Sequence, residues 1–219
     1  MTKEQTELLN LFIGKEVGQD YDRSCCEAEK YATPKRLSEY ISHYIDTLSL
    51  PQPKTCLALA VGTGLEAEQL KIKFNPLHIT GVDLSLDMLN RAVKMQRIDH
   101  SINGNITSQT PGIQDQTMDM VVCCGGTEFN PGKLKAIADE MVRTLKPKGL
   151  LAITVRPPHQ KYARQGYAYY TQEDVINIFA SEKFLGHDSH HSFSMLSKLS
   201  PDTNEPIHVK YNTLFFQAS

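Results

Sequence analysis

Lys54-Thr-Cys-Leu-Ala-Leu-Ala-Val-Gly-Thr-Gly-Leu-Glu-Ala67 is the stretch on which the fold turns. Cys56 to Val61 is an unbroken apolar run, the pattern of a parallel strand buried on both faces. Gly62 and Gly64 let the backbone bend sharply and lie close against a ligand. Leu65 to Phe74 continues as a short helix whose first amides point at whatever the turn holds. His78-Ile-Thr-Gly-Val82 reads as a second strand, and it ends in Asp83, about 20 residues past the glycines, where an acid can take both hydroxyls of a ribose. A nucleoside-bearing cofactor follows. Gly62-x-Gly64-x-x-Ala67 by itself also fits the turn of nicotinamide and flavin enzymes, so the residues beyond Asp83 must separate the two.

Outward from this core the chain alternates regularly. Strands are expected at 54–61, 78–83, 100–106, 118–124 and 149–156, with helices at 65–74, 86–97, 131–145 and 172–181. Such alternation implies an α/β fold with a parallel sheet covered by helices on both faces. Pro131 after Asn130 marks a helix start, and Thr171 with Asp174 three residues later has the form of a capping box. Two helices precede the alternation: an amphipathic one near 3–16, with Leu8, Leu9, Phe12 and Ile13 on one stripe, and one over 35–48 entered through Pro34. Residues 185–198 and 207–217, split by Pro201-Asp-Thr-Asn-Glu-Pro206, read as two strands joined by a polar turn. In an open α/β sheet, ligands sit at the carboxyl ends of the strands where the strand order reverses. Gly62, Thr63, Gly64, Asp83, Asn105 and Cys124 therefore gather at one crevice.

The residues after Asp83 separate the readings. Gly81-Val-Asp-Leu-Ser-Leu-Asp-Met-Leu-Asn-Arg-Ala92 resembles the second motif of class I S-adenosylmethionine-dependent methyltransferases. Gly104-Asn-Ile106 resembles the family's adenine contact, Ile113-Gln-Asp-Gln-Thr-Met-Asp-Met-Val-Val122 its fourth strand, and Leu145-Lys-Pro-Lys-Gly-Leu-Leu-Ala-Ile-Thr154 the entry to its fifth. These motifs keep the family's order across residues 54–156.

The resemblance implies a Rossmann-like fold with a mostly parallel seven-stranded sheet and a C-terminal antiparallel hairpin. It implies one domain over 1–219, with 1–50 as a helical cover and 51–219 as the core, and S-adenosylmethionine as cofactor. It also implies the contacts. Ala60, Val61, Gly62, Thr63 and Gly64 form the turn, and Asp83 takes the ribose. Leu84, Met88 and Ile106 pack on the adenine, Asn105 bonds its exocyclic amine, and Cys124 lines the crevice. Tyr21, in Tyr21-Asp22, lies over the cofactor with Tyr31.

Two positions depart from the family pattern. Ala58 and Ala60 stand where its first motif carries an acid and a glycine, and one lost charged hydrogen bond costs about 1.5–3 kcal/mol. The departures leave a catalytically silent cofactor-binding scaffold or sensor as an alternative to methyl transfer. A nicotinamide oxidoreductase, resting on the glycine turn and Asp83 alone, is a third. Lys148 replaces a glycine in the turn before the fifth strand.

Composition narrows the partners. A net charge of -2 and the lack of a basic block exclude a dedicated nucleic-acid binder, and Arg91, Lys94 and Arg97 read as the solvated face of a helix. No apolar run approaches the ~20 residues of a membrane span, and residues 1–7 lack a signal core, so a cytoplasmic location is expected. Five cysteines without Cys-x-x-Cys spacing indicate reduced thiols. Cys56, Cys123 and Cys124 act as small core residues, while Cys25 and Cys26 fall in the polar N-terminal region. Asp188-x-His190-His191 does not form a metal site, because strand neighbours point to opposite faces.

Substrate chemistry falls to the loops after the fourth and fifth strands. Cys124-Gly-Gly-Thr-Glu-Phe-Asn-Pro131 lacks the Asn/Asp-Pro-Pro-Tyr/Phe signature with which nucleobase and glutamine N-methyltransferases hold a planar amine, which favours a small-molecule acceptor. Glu128 is the candidate acid or base. Arg156 either grips a substrate carboxylate or lies exposed. His159 either removes a proton near neutral pH or is an ordinary loop residue. Tyr167, Tyr169 and Tyr170 either line the acceptor pocket or pack in the core. The sequence does not specify the oligomeric state.

Overall fold

The structure is a computed structural model that describes residues 17–23, 32–158, 167–179, 184–199 and 206–218. The helix expected near 3–16, Tyr31, Cys25, Cys26 and His159 lie outside the described residues. Strands β1 (Thr55–Leu59), β2 (His78–Asp83), β3 (His100–Asn103), β4 (Met118–Cys123), β5 (Leu145–Val155), β6 (Phe184–Leu199) and β7 (Pro206–Ala218) form a single sheet in the order β3-β2-β1-β4-β5-β7-β6. Neighbours from β3 to β5 are parallel, and β7 runs antiparallel to both β5 and β6. This is the mostly parallel sheet with a closing antiparallel hairpin that the motifs imply. The order reverses at β1, which pairs with β2 on one side and β4 on the other. The crevice sits at their carboxyl ends.

Helices α1 (Val17–Arg23), α2 (Thr33–Thr47), α3 (Leu65–Lys73), α4 (Leu86–Lys94), α5 (Leu134–Thr144) and α6 (Gln172–Phe179) cover both faces. On one face Leu37, Ile41, Leu70, Leu89 and Ala92 pack against Cys56, Ala58, Met120 and Phe215. On the other, Leu134, Ile137, Met141, Val175 and Phe179 pack against Leu57, Leu59, Val121, Leu214 and Phe216. Side-chain alternation on β7 serves both cores at once: Phe215 stacks on Tyr44 of α2 at 5.8 Å, and Phe216 meets Phe179 of α6 at 4.5 Å.

Several element ends differ from the sequence expectation for local reasons. The helix expected over 86–97 stops at Lys94. There Gln96 takes a left-handed φ of 56°, and the amides of Gln96 and Arg97 return to the carbonyls of Val93 and Ala92, the Schellman end of a helix. The helix expected from Pro131 begins at Leu134. Gly132 at φ 69° separates Pro131 from it, and the Asn130 amide donates to the Gly126 carbonyl instead of capping. The 100–106 strand ends at Asn103. The capping box forms as expected, with Asp174 N–H donating to Thr171 Oγ1 (3.1 Å) and Thr171 N–H to Asp174 Oδ2 (2.7 Å).

β5 starts at Leu145, four residues earlier than expected, and its register with β4 shifts between Met118 and Met120. Lys148, exposed on this irregular stretch, has φ 63°. A left-handed L residue costs about 1–2 kcal/mol, part of which glycine returns through a freer unfolded chain. Lys148→Gly is therefore expected to stabilise the protein by about 0.5–1 kcal/mol, or roughly 1–4 °C in Tm. A thermal melt in which the variant is less stable than wild type would contradict the strain.

Candidate active site at the carboxyl ends of β1, β2 and β4

The apolar strand β1 ends at Leu59 because Ala60 already has a left-handed φ of 53°. Val61 N–H is held by the Val82 carbonyl (3.1 Å) and Gly64 N–H by the Val61 carbonyl (2.8 Å). A Cβ on Gly64 would lie 2.9 Å from Cβ of Arg97, and its φ is 79°, so the turn can press against the end of α4 only with glycine there. A Cβ on Gly62 would meet nothing within 4 Å: that position opens on the crevice. Opposite, a Cβ on Gly126 would lie 2.4 Å from Cβ of Ala60 and 3.4 Å from Cδ1 of Ile106. Ala60, Ile106 and the loop after β4 thus close together on one wall.

Asp83 is fixed before any ligand arrives. Its Oδ2 accepts Gly62 N–H and its Oδ1 accepts Ser85 N–H, both at 2.8 Å. Burial pushes its carboxyl up from the ordinary value, against the pull of the Ser85, Gly62 and Leu84 amides. Ser85 caps α4 by accepting Met88 N–H (3.3 Å). Asn103 Nδ2 donates to the carbonyls of Asp83 and Leu84. Of the expected adenine neighbours, Met88 and Ile106 are buried and Leu84 is exposed. Asn105 Oδ1 accepts both N–H and Oγ1–H of Thr107 at 2.9 Å. With both lone pairs of that oxygen engaged, Asn105 offers a ligand its amide donor.

The basic face expected on α4 is not solvated. Arg97 is only 7% exposed. Its Nη1 donates to Asp22 Oδ2 (2.8 Å) and to the Thr63 carbonyl (3.0 Å), and Arg91 Nε donates to the same Asp22 oxygen (3.1 Å). Lys94 alone of the three is exposed. The Schellman turn at Gln96 carries Arg97 under the glycine turn, where a continued helix would have left it facing water. Through Asp22, α1 and its Tyr21 are tied to the cofactor turn. Neither Asp22 nor Arg97 had a sequence signal beyond the Tyr21-Asp22 pair.

Beyond β4, Gly125 N–H bonds Thr154 Oγ1 (2.9 Å) and Thr127 Oγ1 bonds the Thr154 carbonyl (3.1 Å). These bonds fix the short 3₁₀ turn Thr127–Phe129. Glu128 on it is 4% exposed, and its Oε2 has no hydrogen-bond partner. Burial raises its carboxyl to about 7, opposed by the charge of Arg156. Arg156 is buried, with its guanidinium 5.7 Å from the centroid of the Tyr169 ring. Tyr167 meets Phe129 (5.2 Å), Tyr170 hydroxyl donates to the Asn130 carbonyl (3.3 Å), and Ala168 and Tyr170 amides bond the Glu128 and Arg156 carbonyls. The aromatic run thus packs on the candidate acid–base pair. Cys56, Cys123 and Cys124 are buried cysteines outside any disulfide, and burial pushes Cys123 up to about 12.

A glycine turn at a topological switch point, an acid held at the end of β2 and a buried carboxyl with one unpaired oxygen beyond β4 define a nucleoside-cofactor enzyme. Known proteins narrow the class. Residues 56–149 match the family model of the methyltransferase domain. The demethylmenaquinone methyltransferase of Thermotoga maritima is 30% identical over 210 residues, covering 88% of this chain and 89% of that protein. Among solved structures, magnesium protoporphyrin IX methyltransferase from Synechocystis PCC 6803 with bound S-adenosylhomocysteine aligns with a TM-score of 0.69 at 13% identity. That alignment covers 99% of this chain and 100% of the other. A S-adenosylmethionine-dependent methyltransferase from Clostridium acetobutylicum aligns at 0.62 and 16%, covering 92% and 97%. The chain belongs to the class I S-adenosylmethionine-dependent methyltransferases.

The crevice fits that cofactor. Gly62 leaves room on its floor, the carboxylate of Asp83 stands at the end of β2, and buried Thr63 Oγ1 and Glu66 Oε1 lack partners beside the turn.

Proposed function

We propose that this methyltransferase acts in the cytoplasm on a small molecule bearing an oxygen or nitrogen nucleophile, and that Glu128 accepts the nucleophile's proton. Bound S-adenosylmethionine supplies a methyl group on a sulfonium, a leaving group that needs no protonation. The protein's task is to align the acceptor, exclude water and take up a proton. Asp83 would hold the ribose hydroxyls, and the turn from Ala60 through Val61, Gly62 and Thr63 to Gly64 would follow the cofactor backbone. Leu84, Met88 and Ile106 would flank the adenine, with the amide of Asn105 donating to a ring nitrogen. Cys124 would line the wall and Tyr21 the cover.

The observation that carries the acceptor-side reading is Glu128: a buried carboxyl with an unpaired oxygen, raised to about 7, on the 3₁₀ turn that follows β4. A base is most effective when its pKa lies near the working pH. Arg156, buried against Tyr169, would orient an acceptor carboxylate. The absence of a disulfide at the buried Cys56, Cys123 and Cys124 supports a reducing compartment.

A panel of phenols, carboxylic acids and amines, scored by S-adenosylhomocysteine release, tests the acceptor class. At saturating cofactor, kcat is expected to rise with pH through about 7 as Glu128 ionises. Glu128→Gln should lower kcat by about 10²–10⁴-fold and flatten that rise, while leaving cofactor affinity within twofold of wild type. Full activity with an unchanged pH profile would remove Glu128 from the reaction.

A further inference from the structure

Glu66 opens α3 directly after the glycine turn and is 6% exposed. Its carboxyl receives its own backbone N–H at the helix start, yet Oε1 has no partner. Arg97, the nearby cation, gives Nη1 to Asp22 and to the Thr63 carbonyl, and its Nε lies 3.5 Å from Glu68. No ion pair closes on Glu66 among the described residues. A buried carboxyl left in this state costs stability in the free protein, and a cation placed beside it recovers that cost.

The neighbouring strand carries the complementary observation. Ala58 and Cys56 share one face of β1 and are fully buried. The charge of Glu66 raises the Cys56 thiol further, beyond the effect of burial, so the carboxyl reaches over this face from the helix side. Asp83 adds to the same field, but its oxygens hold the Gly62 and Ser85 amides and, in the reading above, the ribose hydroxyls. The amino-acid end of the cofactor is a zwitterion. Its carboxylate suits the positive end of α3 and Thr63 Oγ1, which leaves a buried cation to be matched.

We propose that Glu66 receives the α-ammonium group of the cofactor, supplying from α3 the negative charge that Ala58 does not supply from β1. This assignment rests on the cofactor crevice described above. It predicts that Glu66 discriminates between nucleosides with and without the amino-acid end. The groups facing its carboxyl are Asp83 from β2, Arg97 beyond α4, Cys56 from β1 and Cys123 from β4. With the carboxyl raised to about 8 chiefly by burial, much of it is protonated at pH 7, and an arriving ammonium drives that proton off.

Calorimetric titration with S-adenosylhomocysteine and with 5′-methylthioadenosine, which lacks the amino-acid end, tests this. In Glu66→Gln, affinity for S-adenosylhomocysteine should fall about 10- to 100-fold, the loss of one charged hydrogen bond, with 5′-methylthioadenosine within twofold of wild type. Unchanged affinity for the first ligand, or an equal loss for both, would overturn the assignment. Should the variant not fold by circular dichroism, the wild type decides. At pH 7, titrations in buffers of different ionisation enthalpy should show more proton release with S-adenosylhomocysteine than with 5′-methylthioadenosine, and equal release would refute it. Asp83 meets the ribose of both ligands, so its contribution cancels. Wild type binding neither nucleoside would sink the crevice together with Glu66; wild type binding both, with an indifferent Glu66→Gln, would strike Glu66 alone.

Discussion

Asp83→Ala should lower the affinity for S-adenosylmethionine by about 100-fold or more, because two charge-assisted bonds to the ribose, at about 1.5–3 kcal/mol each, are lost together. The variant also frees the Gly62 and Ser85 amides that now hold the carboxylate, so the turn loses its brace along with its ligand contact. Asp83→Asn separates the two effects: it can still accept an amide hydrogen bond but lacks the charge, and its affinity should fall between wild type and alanine. Calorimetry gives the affinities and a thermal melt shows whether the fold survives. An alanine variant within threefold of wild type would place the ribose elsewhere.

A second large effect is expected in stability. Arg97→Ala removes one partner of a buried ion pair and the donor to the Thr63 carbonyl. Losing one partner of such a pair costs about 3–5 kcal/mol. Arg91 still reaches Asp22 Oδ2, which puts the loss near the lower end, or roughly 6–12 °C in Tm. Removing both charges, in Asp22→Asn with Arg97→Ala, should cost less than the sum of the two single changes, since neither member of the pair is then left as an unpaired buried charge. Denaturant unfolding of the four proteins measures the coupling. Arg97→Ala within 1 kcal/mol of wild type would mean the pair carries no weight.

What could be read from the sequence was what local chemistry dictates. The apolar run into Gly62, the second strand ending on Asp83, and the mutual capping of Thr171 and Asp174 all depend on neighbours in the chain, and all appear in the structure. Arg97 was misread for the converse reason. A helix stop normally announces itself with glycine, and here Gln96 adopts the left-handed turn, so the periodicity ran on and placed a buried arginine in water. Its partner lies 75 residues earlier, a distance that no local pattern encodes. Glu66 has no sequence signal of its own, since acids are ordinary at a helix N-terminus; only its burial and its unpartnered oxygen distinguish it. At Glu128 the residue type suggests the chemistry, but the raised carboxyl depends on a burial that no local pattern encodes.

The meeting of Ala60 with Gly126 bears on how such a crevice can vary. A side chain at 126 would collide with the Ala60 methyl, so the loop after β4 lies against the end of β1 only because 126 carries a hydrogen. The two positions share one fixed volume, and the methyl at 60 is matched by its absence at 126. Substitutions at 60 and 126 should therefore be epistatic: a side chain added at 126 is tolerable only in a background where Ala60 is replaced by glycine.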